Sequence, residues 1–210
     1  MAAHRQATLA LLKDRLVDTR LRADPRDVVL PPGSELWPED VRASLVASLR
    51  PAGVLIPLIE RDSGLVVLLT RRSAALKHHA SQIAFPGGGM ESGDRSIADT
   101  ALRETFEEVG IRPEEIAVLG YLDAMPTMTG YAVTPVVGSV APSARIDVDP
   151  TEVEFAFEVP LDFLLDKANA RASERDFQGR KLPIIEYRYR EHRIWGATAH
   201  ILLKLREILE

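Results

Sequence analysis

The sequence predicts an α/β protein in which a mixed β-sheet packs between helices and follows an N-terminal helical extension. Short β-branched segments occur with scattered amphipathic helical segments, and the two types do not alternate regularly. Hydrophobic residues make up 46% and charged residues 27% of the 210 positions, as in ordinary globular proteins. We therefore expect the extension to occupy residues 1–50 and one globular domain to occupy residues 51–210.

The N-terminal extension contains two predicted helices joined by a proline-rich segment. Residues 6–20 have the apolar spacing of an amphipathic helix. Residues 39–49 form the second predicted helix, which Pro38 is suited to open. No motif in this region suggests chemistry, so we expect it to cover the core or to form a dimer surface. The positions expected to face the core are Leu9, Leu12, Leu16, Val17, Val41, Leu45 and Leu49.

Strands and helices of the main domain follow from local patterns. A turn of hairpin composition separates the first two strands, and a glycine-rich loop precedes the first helix. Ser96 is a suitable N-cap for that helix and Gly110 a suitable residue to end it. The predicted strands span residues 54–59, 65–70, 116–123, 132–140, 153–159 and 184–190, and the predicted helices span 97–109, 161–166 and 197–208.

Composition argues against several classes of function. The chain has no cysteine, which excludes disulfide scaffolds, thiolate zinc sites and cysteine nucleophiles. It shows no secretion signal and no apolar run near the ~18 residues of a membrane span, so we expect a cytoplasmic protein without a membrane partner. The net charge is −5, whereas nucleic-acid-binding proteins are more often basic, so we expect no nucleic-acid partner.

Three carboxylates share one face of the helix predicted over residues 97–109. Glu104, Glu107 and Glu108 follow the spacing i, i+3, i+4, which brings their side chains together. Arg103 precedes Glu107 by four residues and can pair with it. The opposite face is expected to hold Leu102, Phe106 and Val109.

Such an acidic face has two interpretations. Like charges at this spacing repel, and a solvated acidic face is the ordinary explanation for a glutamate-rich helix. Here, however, the flexible loop that contains Gly87 and Gly88 lies just upstream, with Asp94 at its far end. Glycine lets the backbone approach a phosphate or offer a carbonyl to a metal, and clustered hard oxygens are what Mg²⁺ or Mn²⁺ requires. We therefore favour a metal site.

The residues around this helix resemble the Nudix box. Gly88, five residues, Asp94, eight residues and then Arg103–Ile111 are similar to that motif. Its usual pattern is Gly, five residues, Glu, seven residues, and Arg-Glu-aliphatic-any-Glu-Glu-any-Gly-aliphatic. This chain has Asp94 in place of Glu, one extra residue before Arg103, and Thr105 at the aliphatic position. The string from Arg103 onward is specific and strengthens the metal-site hypothesis.

The Nudix resemblance implies an α/β/α sandwich and the hydrolysis of a nucleoside diphosphate linked to a further group. Glu104 and Glu108 would be the main metal ligands, Glu107 would assist, and Gly88 would offer its backbone. Arg103 would orient the carboxylates as a neighbour of the metal ligands. The expected cofactor is Mg²⁺ or Mn²⁺, which would neutralise the diphosphate and lower the pKa of an attacking water.

A second block resembles the upstream signature of coenzyme A pyrophosphatases, a Nudix subfamily. It comprises Leu68–Ser73, Lys77 and Gln82–Gly88. The usual signature is Leu-Leu-Thr-any-Arg-Ser, three residues, Arg, three residues, Gly, three residues, Phe-Pro-Gly-Gly. Lys77 stands in place of the second Arg and Ser81 in place of the first Gly. The Asp and the extra residue inside the box are familiar in this subfamily, and similarity extends over about residues 50–208.

Four residues are expected to bind the substrate. Arg72 and Lys77 are the candidates for phosphate contacts, and Gly87 and Gly88 for backbone contacts. The alternative for Arg72 and Lys77 is that they are solvent-facing charges at a strand end. Lysine offers a point charge and arginine a planar fork, so Lys77 is expected to select phosphates less sharply.

Two carboxylates, Glu152 and Glu104, are candidates for the general base. Glu152 lies before the strand predicted over residues 153–159 and matches a Glu common at that place in the subfamily. It could activate water or hold an outer metal, or it could be a solvated loop residue beside Glu154. Glu104 is the competing base.

The leading hypothesis is a Mg²⁺- or Mn²⁺-dependent hydrolase of coenzyme A or acyl-coenzyme A, with a CoA-like nucleotide as its partner molecule. Its products would be 3′,5′-ADP and an (acyl-)4′-phosphopantetheine. One alternative is a Nudix hydrolase of ADP-ribose, a dinucleotide or a noncanonical nucleoside triphosphate. A second is a catalytically silent Nudix-fold binding module, although such a module need not keep a self-repelling carboxylate cluster.

Overall fold

The computed structural model describes residues 2–76, 78–177 and 179–209, arranged as strands and helices around two β-sheets. Lys77 lies outside the described residues. The helices are α1 (Ala2–Leu16), α2 (Glu39–Val46), α3 (Ile97–Val109), α4 (Leu161–Leu165) and α5 (Ala197–Leu209). The strands are β1 (Arg50–Arg61), β2 (Gly64–Arg72), β3 (Ile83–Ala84), β4 (Gly87–Gly89), β5 (Ile116–Tyr121), β6 (Met125–Pro126), β7 (Tyr131–Val140), β8 (Val153–Pro160), β9 (Ala170–Phe177), β10 (Arg180–Tyr189) and β11 (His192–Trp195).

The main sheet is mixed and is built around β1. Along one edge β1 runs parallel to β7, from Arg50 opposite Tyr131 to Ile59 opposite Val140. Along its other edge β1 pairs antiparallel with β4 in its first half and with β2 in its second half. The strand order is β3-β2-β1-β7-β5, and β8 also pairs with β2. The short glycine strand β4 is therefore inserted beside the central strand, where it faces α3.

Helices cover both faces of this sheet. Alternate residues of β1 enter two separate apolar clusters, with Ile56 in one and Leu55 in the other. The Leu55 cluster includes Ile97, Ala101 and Val109 of α3, whereas the Ile56 cluster includes buried side chains of α1, α4 and α5. This arrangement confirms the predicted α/β/α sandwich with a mixed sheet.

A second sheet consists of β9, β10 and β11, which pair antiparallel in the order β11-β10-β9. Only β10 overlaps a predicted strand, so the sequence patterns missed β9 and β11. The residues of β9 are charged or small except for Phe177, so this strand shows no strand-like apolar alternation. Trp37 donates its indole N–H to the Pro183 carbonyl at 3.1 Å and so ties the N-terminal region to β10.

The N-terminal helices are shorter than predicted at their C-terminal ends. Helix α1 ends at Leu16, where the Thr19 hydroxyl donates to the Leu16 carbonyl and accepts from the Tyr121 backbone N–H. Val17 therefore lies outside the helix and is 61% exposed, which contradicts its predicted core position. Leu49 likewise lies beyond α2, whose last residue is Val46. In the described part of the chain, no helix is long and apolar enough to cross a membrane.

Candidate metal centre

Helix α3 has the ends that its sequence predicts. Ser96 accepts a hydrogen bond from the Asp99 backbone N–H at 3.2 Å, and Gly110 ends the helix with a φ of 73°. Gly53 of β1 brings the sheet close to this helix, since a Cβ there would lie 2.5 Å from the Ile97 carbonyl oxygen. The close approach fixes α3 against β1.

The rotation of α3 differs from the predicted one. Phe106, predicted to face the core, is 49% exposed, whereas Glu108 is 1% exposed on the side of the sheet. Thr105 is also fully buried and donates its hydroxyl to the Ala101 carbonyl at 2.6 Å. Glu108 can be buried here because the adjacent strand β4 consists only of glycine and leaves room for its side chain near Gly87.

Three carboxylates converge beside this strand. One oxygen each of Glu104, Glu108 and Glu152 lies within 4.8 Å of the others. Glu152 comes from the turn before β8, and its carbonyl accepts from the Ser73 backbone N–H at 2.8 Å, just after β2. Glu152 is therefore part of the cluster, and its neighbour Glu154 instead pairs with Arg71 at 3.2 Å.

Glu108 has an incomplete set of partners. Its Oε1 accepts from Arg72 Nη1 at 3.1 Å. Its Oε2 is buried and has no hydrogen-bond partner among the described residues. Burial raises the pKa of Glu108 to about 8, against the opposing effect of Arg72. The free oxygen is thus an acceptor that lacks a cation or proton donor.

Glu104 fills the space left by a glycine. A Cβ on Gly88 would lie 2.5 Å from the Glu104 carboxylate, so any other residue at this position would displace it. Burial raises the pKa of Glu104, and the Arg103 hydrogen bond opposes the shift. Gly87 has a φ of 153°, a conformation that side chains with a Cβ rarely adopt.

Arg103 links the glycine strand to the carboxylates. The Asp94 carboxylate accepts two hydrogen bonds of 3.0 Å from the Arg103 guanidinium, from Nε to Oδ1 and from Nη2 to Oδ2. Nη2 also donates to the Gly89 carbonyl, and Nη1 donates to Glu104 and Glu107. The Arg103 hydrogen bond holds the pKa of Asp94 well below its usual range, so Asp94 stays ionised. Asp94 therefore holds Arg103 and lies outside the carboxylate cluster.

Glu107 does not join the three converging carboxylates. Its side chain is 49% exposed and its Oε2 accepts from Arg103 Nη1 at 2.8 Å, which confirms the predicted pairing. The structure thus brings together Glu104 and Glu108 from α3 but substitutes Glu152 for Glu107. The long sequence separation of Glu152 from the helix gave no local signal for this convergence.

Of the two cationic residues predicted to contact the substrate, Arg72 and Lys77, the structure describes only Arg72. Arg72 lies beside the cluster through its bond to Glu108, and it is not a solvent-facing strand end. Lys77 is outside the described residues. Ser81 has a φ of 59°, a left-handed conformation that glycine adopts without strain. This conformation accounts for the glycine that is usual at this position in the coenzyme A pyrophosphatase signature.

The residues of the cluster fit a divalent cation. Three hard carboxylate oxygens lie close together, and a buried one of them lacks a partner. Three mutually repelling anions in a partly buried place are unfavourable unless a cation or protons neutralise them. The glycine backbone at Gly88 lies directly against Glu104, where it could add a carbonyl ligand.

Comparison with known proteins points to one family. The NUDIX domain model matches residues 49–178. The Uncharacterized Nudix hydrolase NudL of Photorhabdus laumondii is 42% identical over 156 residues, covering 74% of this chain and 83% of that protein. NudL of Pectobacterium atrosepticum is 43% identical over 169 residues, covering 77% and 86%. A solved MutT/nudix family protein from Enterococcus faecalis is 18% identical, with a TM-score of 0.48, and the match covers 75% of this chain and 61% of that one.

Proposed function

The chain belongs to the Nudix family, and we propose that it is a Mg²⁺- or Mn²⁺-dependent hydrolase of coenzyme A or acyl-coenzyme A. As a Nudix hydrolase it acts on a nucleoside diphosphate derivative, and coenzyme A is the proposed member of that class. Water would add across the diphosphate, which yields 3′,5′-ADP and (acyl-)4′-phosphopantetheine.

The observation that carries the hydrolytic mechanism is the cluster of Glu104, Glu108 and Glu152 with its unpartnered Glu108 oxygen. These three residues would hold the metal, with the Gly88 carbonyl as a further ligand and Glu107 assisting from the exposed edge. A divalent cation bound there supplies charge neutralisation for the diphosphate and a lowered pKa for the attacking water.

The protein's own groups would position the reactants and move one proton. Asp94 holds Arg103, and Arg103 in turn fixes the Glu104 carboxylate through a 3.0 Å hydrogen bond. Glu152 would accept the proton of the attacking water, with Glu104 as the alternative base. The water oxygen then forms the new bond to one phosphorus, and the bridging oxygen leaves on the other phosphate with the electron pair of the broken P–O bond.

The choice of coenzyme A rests on the block from Leu68 to Gly88 and on the position of Arg72. Arg72 lies against Glu108, so its guanidinium is close enough to the cluster to contact a phosphate held there. Gly87 and Gly88 would offer backbone contacts. Lys77 is proposed as the second phosphate contact on the basis of the sequence block alone.

A product-identified substrate panel tests this choice. Purified protein with Mg²⁺ or Mn²⁺ should convert coenzyme A to 3′,5′-ADP and 4′-phosphopantetheine. Dephospho-coenzyme A, which lacks the 3′-phosphate, should be cleaved about tenfold or more less efficiently if an Arg or Lys reads that group. Intact coenzyme A beside cleaved ADP-ribose or another nucleotide would refute the substrate assignment, and no cleavage of any member would favour a silent binding module.

A further inference from the structure

A cavity of about 650 Å³ opens at the N-terminal end of α3, and none of the three clustered carboxylates lines it. Its lining comes from the end of α1 with the following loop, the segment from β5 to β6, the start of α3 and the end of α5, together with Met90 and Thr134. Ligand pockets of roughly 300–1,000 Å³ hold molecules of cofactor size, so this cavity could admit a nucleotide.

The rim of the cavity is cationic, although the whole chain has a net charge of −5. Two of its cations have no carboxylate partner among the described residues. Arg20 donates only to the carbonyls of Val17 and Thr19, both at 2.8 Å, and Arg15 has no hydrogen bond or ion pair there. Three further cations, Arg22, Arg95 and Lys204, are paired with carboxylates. The guanidinium groups of Arg15 and Arg20 therefore give the rim positive charge that can attract an anion.

The floor of the cavity is mostly apolar and includes the hydroxyl of Thr134. Thr134 of β7 lines it and is only 6% exposed, and within the described residues its side chain makes no hydrogen bond. Leu21, Met90 and Ile97 add apolar wall, and the half-buried Tyr121 adds an aromatic ring. The hydroxyl has no partner among the described residues and is not enclosed, so it is open to a hydrogen bond with a ligand in the cavity.

We propose that this cavity binds a phosphorylated nucleoside. The phosphate would lie at Arg15 and Arg20, which have free donor groups and are exposed at the rim. The nucleoside would lie against the apolar wall and Tyr121, with Thr134 as hydrogen-bond partner. An inorganic phosphate alone would use neither the volume nor the wall, so the combination favours a nucleotide.

The cavity lies close to the proposed active site along α3. Met90 lines the cavity and directly follows Gly89, whose carbonyl accepts from Arg103. Ile97 precedes Glu104 by seven residues, which is about 10 Å along a helix axis. The nucleotide could therefore be the substrate's own 3′,5′-ADP half or a separate molecule, and the use of 3′,5′-ADP as a probe rests on the proposed function.

Calorimetric titration of the chelator-treated, metal-free protein with 3′,5′-ADP tests this proposal. We expect saturable binding that Arg20→Glu weakens about tenfold through loss and reversal of a phosphate contact. Thr134→Val, which keeps the shape but removes the hydroxyl, should weaken it severalfold. Arg171→Glu is the matched control, because Arg171 is an exposed arginine on β9 away from the cavity, and it should bind like the parent.

The outcome separates the cavity from the catalytic proposal. No saturable binding, or Arg20→Glu and Thr134→Val proteins that bind like the parent, would overturn the cavity site. If Arg20→Glu also raises the KM for coenzyme A with kcat unchanged, the ligand is the substrate's nucleotide half. If KM is unchanged, it is a separate nucleotide. Failure of coenzyme A hydrolysis with intact, Arg20-dependent binding of 3′,5′-ADP would refute the proposed function and leave the cavity site standing.

Discussion

Glu108 has an environment that an isolated carboxylate would avoid. It is 1% exposed, one oxygen has no partner, and two other carboxylates lie nearby. Arg72 compensates for only part of this burial, since the pKa of Glu108 is still raised to about 8. Such a residue lowers the stability of the metal-free protein and is explained by the cation that it would bind.

Replacing Glu108 by Gln should therefore stabilise the metal-free protein. Between pH 4.5, the ordinary pKa, and about pH 8, the unfolded chain releases the Glu108 proton and the folded chain retains it. The penalty on folding thus grows with pH over this window, because stability falls wherever the folded state binds more protons. At about 1.4 kcal/mol for each pH unit between 4.5 and about 8, the gain should approach roughly 5 kcal/mol above pH 8 and vanish below pH 4.5.

Urea denaturation of the two chelator-treated proteins at several pH values measures this difference. A Glu108→Gln protein whose free energy of unfolding is lower than that of the parent at pH 8, or whose advantage does not change with pH, would show that burial of Glu108 is not unfavourable.

Gly88 gives a second prediction at the scale of single residues. In Gly88→Ala the new Cβ would meet the Glu104 carboxylate at 2.5 Å, so Glu104 must move. Displacement of a catalytic group by about 1 Å can slow a reaction on the order of 100-fold. Gly89→Ala is the matched control, since its Cβ would meet only Tyr131 Cε1 at an ordinary 3.6 Å. Steady-state hydrolysis should fall in the first variant and stay near the parent in the second, and equal rates would contradict the packing of Glu104 against Gly88.

At the scale of elements, the ends of α3 could be predicted but its rotation could not. Ser96 and Gly110 act through local backbone geometry, which a short stretch of sequence contains. The burial of Glu108 depends instead on the glycine strand β4, which leaves space for polar atoms beside the helix. Apolar periodicity alone assigned Phe106 to the core, and the packed sheet contradicts that assignment.

The turn before β8 supports a prediction about the general base. Glu152 and Glu154 are two residues apart, but Glu152 lies in the carboxylate cluster and Glu154 pairs with Arg71. Glu152→Gln should reduce kcat by about 100-fold or more, as expected for loss of a general base or a metal-bound carboxylate. Glu154→Gln should keep a rate close to the parent. A fully active Glu152→Gln protein would assign the base to Glu104.

At the scale of the whole molecule, α1 is part of the core of the sandwich. Leu12 and Leu16 are fully buried in the same cluster as residues of α5 and the sheet. Removal of α1 would expose this apolar cluster to water. The division of the chain at residue 50 into an N-terminal extension and a main domain stays a prediction.

Leu12→Ala measures the contribution of α1 to stability. Truncation of a fully buried leucine leaves a cavity and should lower the free energy of unfolding by about 2–5 kcal/mol. Val17→Ala is the control one residue beyond the helix, where the side chain is 61% exposed and the change should stay within about 0.5 kcal/mol. Urea denaturation compares them, and similar midpoints for Leu12→Ala and the parent would show that α1 does not contribute to the folded core.

The main sheet could be predicted from sequence more fully than the second sheet. Strands such as β2 and β7 are rich in β-branched residues and buried along most of their length, so composition identifies them. Strand β9 is mostly exposed and charged, and β11 has four residues, so both depend on pairing with β10 rather than on a pattern of their own. Glu152 could be named as a candidate only through the subfamily resemblance, because it reaches the carboxylate cluster through the pairing of β8 with β2 and has no local pattern that places it there.

The most direct test of the central claim is the rate of coenzyme A hydrolysis by the parent and by Glu108→Gln as Mn²⁺ or Mg²⁺ is titrated into chelator-treated protein. The parent rate should rise from near zero and saturate with the metal. The Glu108→Gln rate should remain at least about 100-fold lower at every metal concentration, because one ligand of the cluster is lost. A parent that works without added metal, or a Glu108→Gln protein as active as the parent, would contradict the assignment of Glu104, Glu108 and Glu152 as the metal centre.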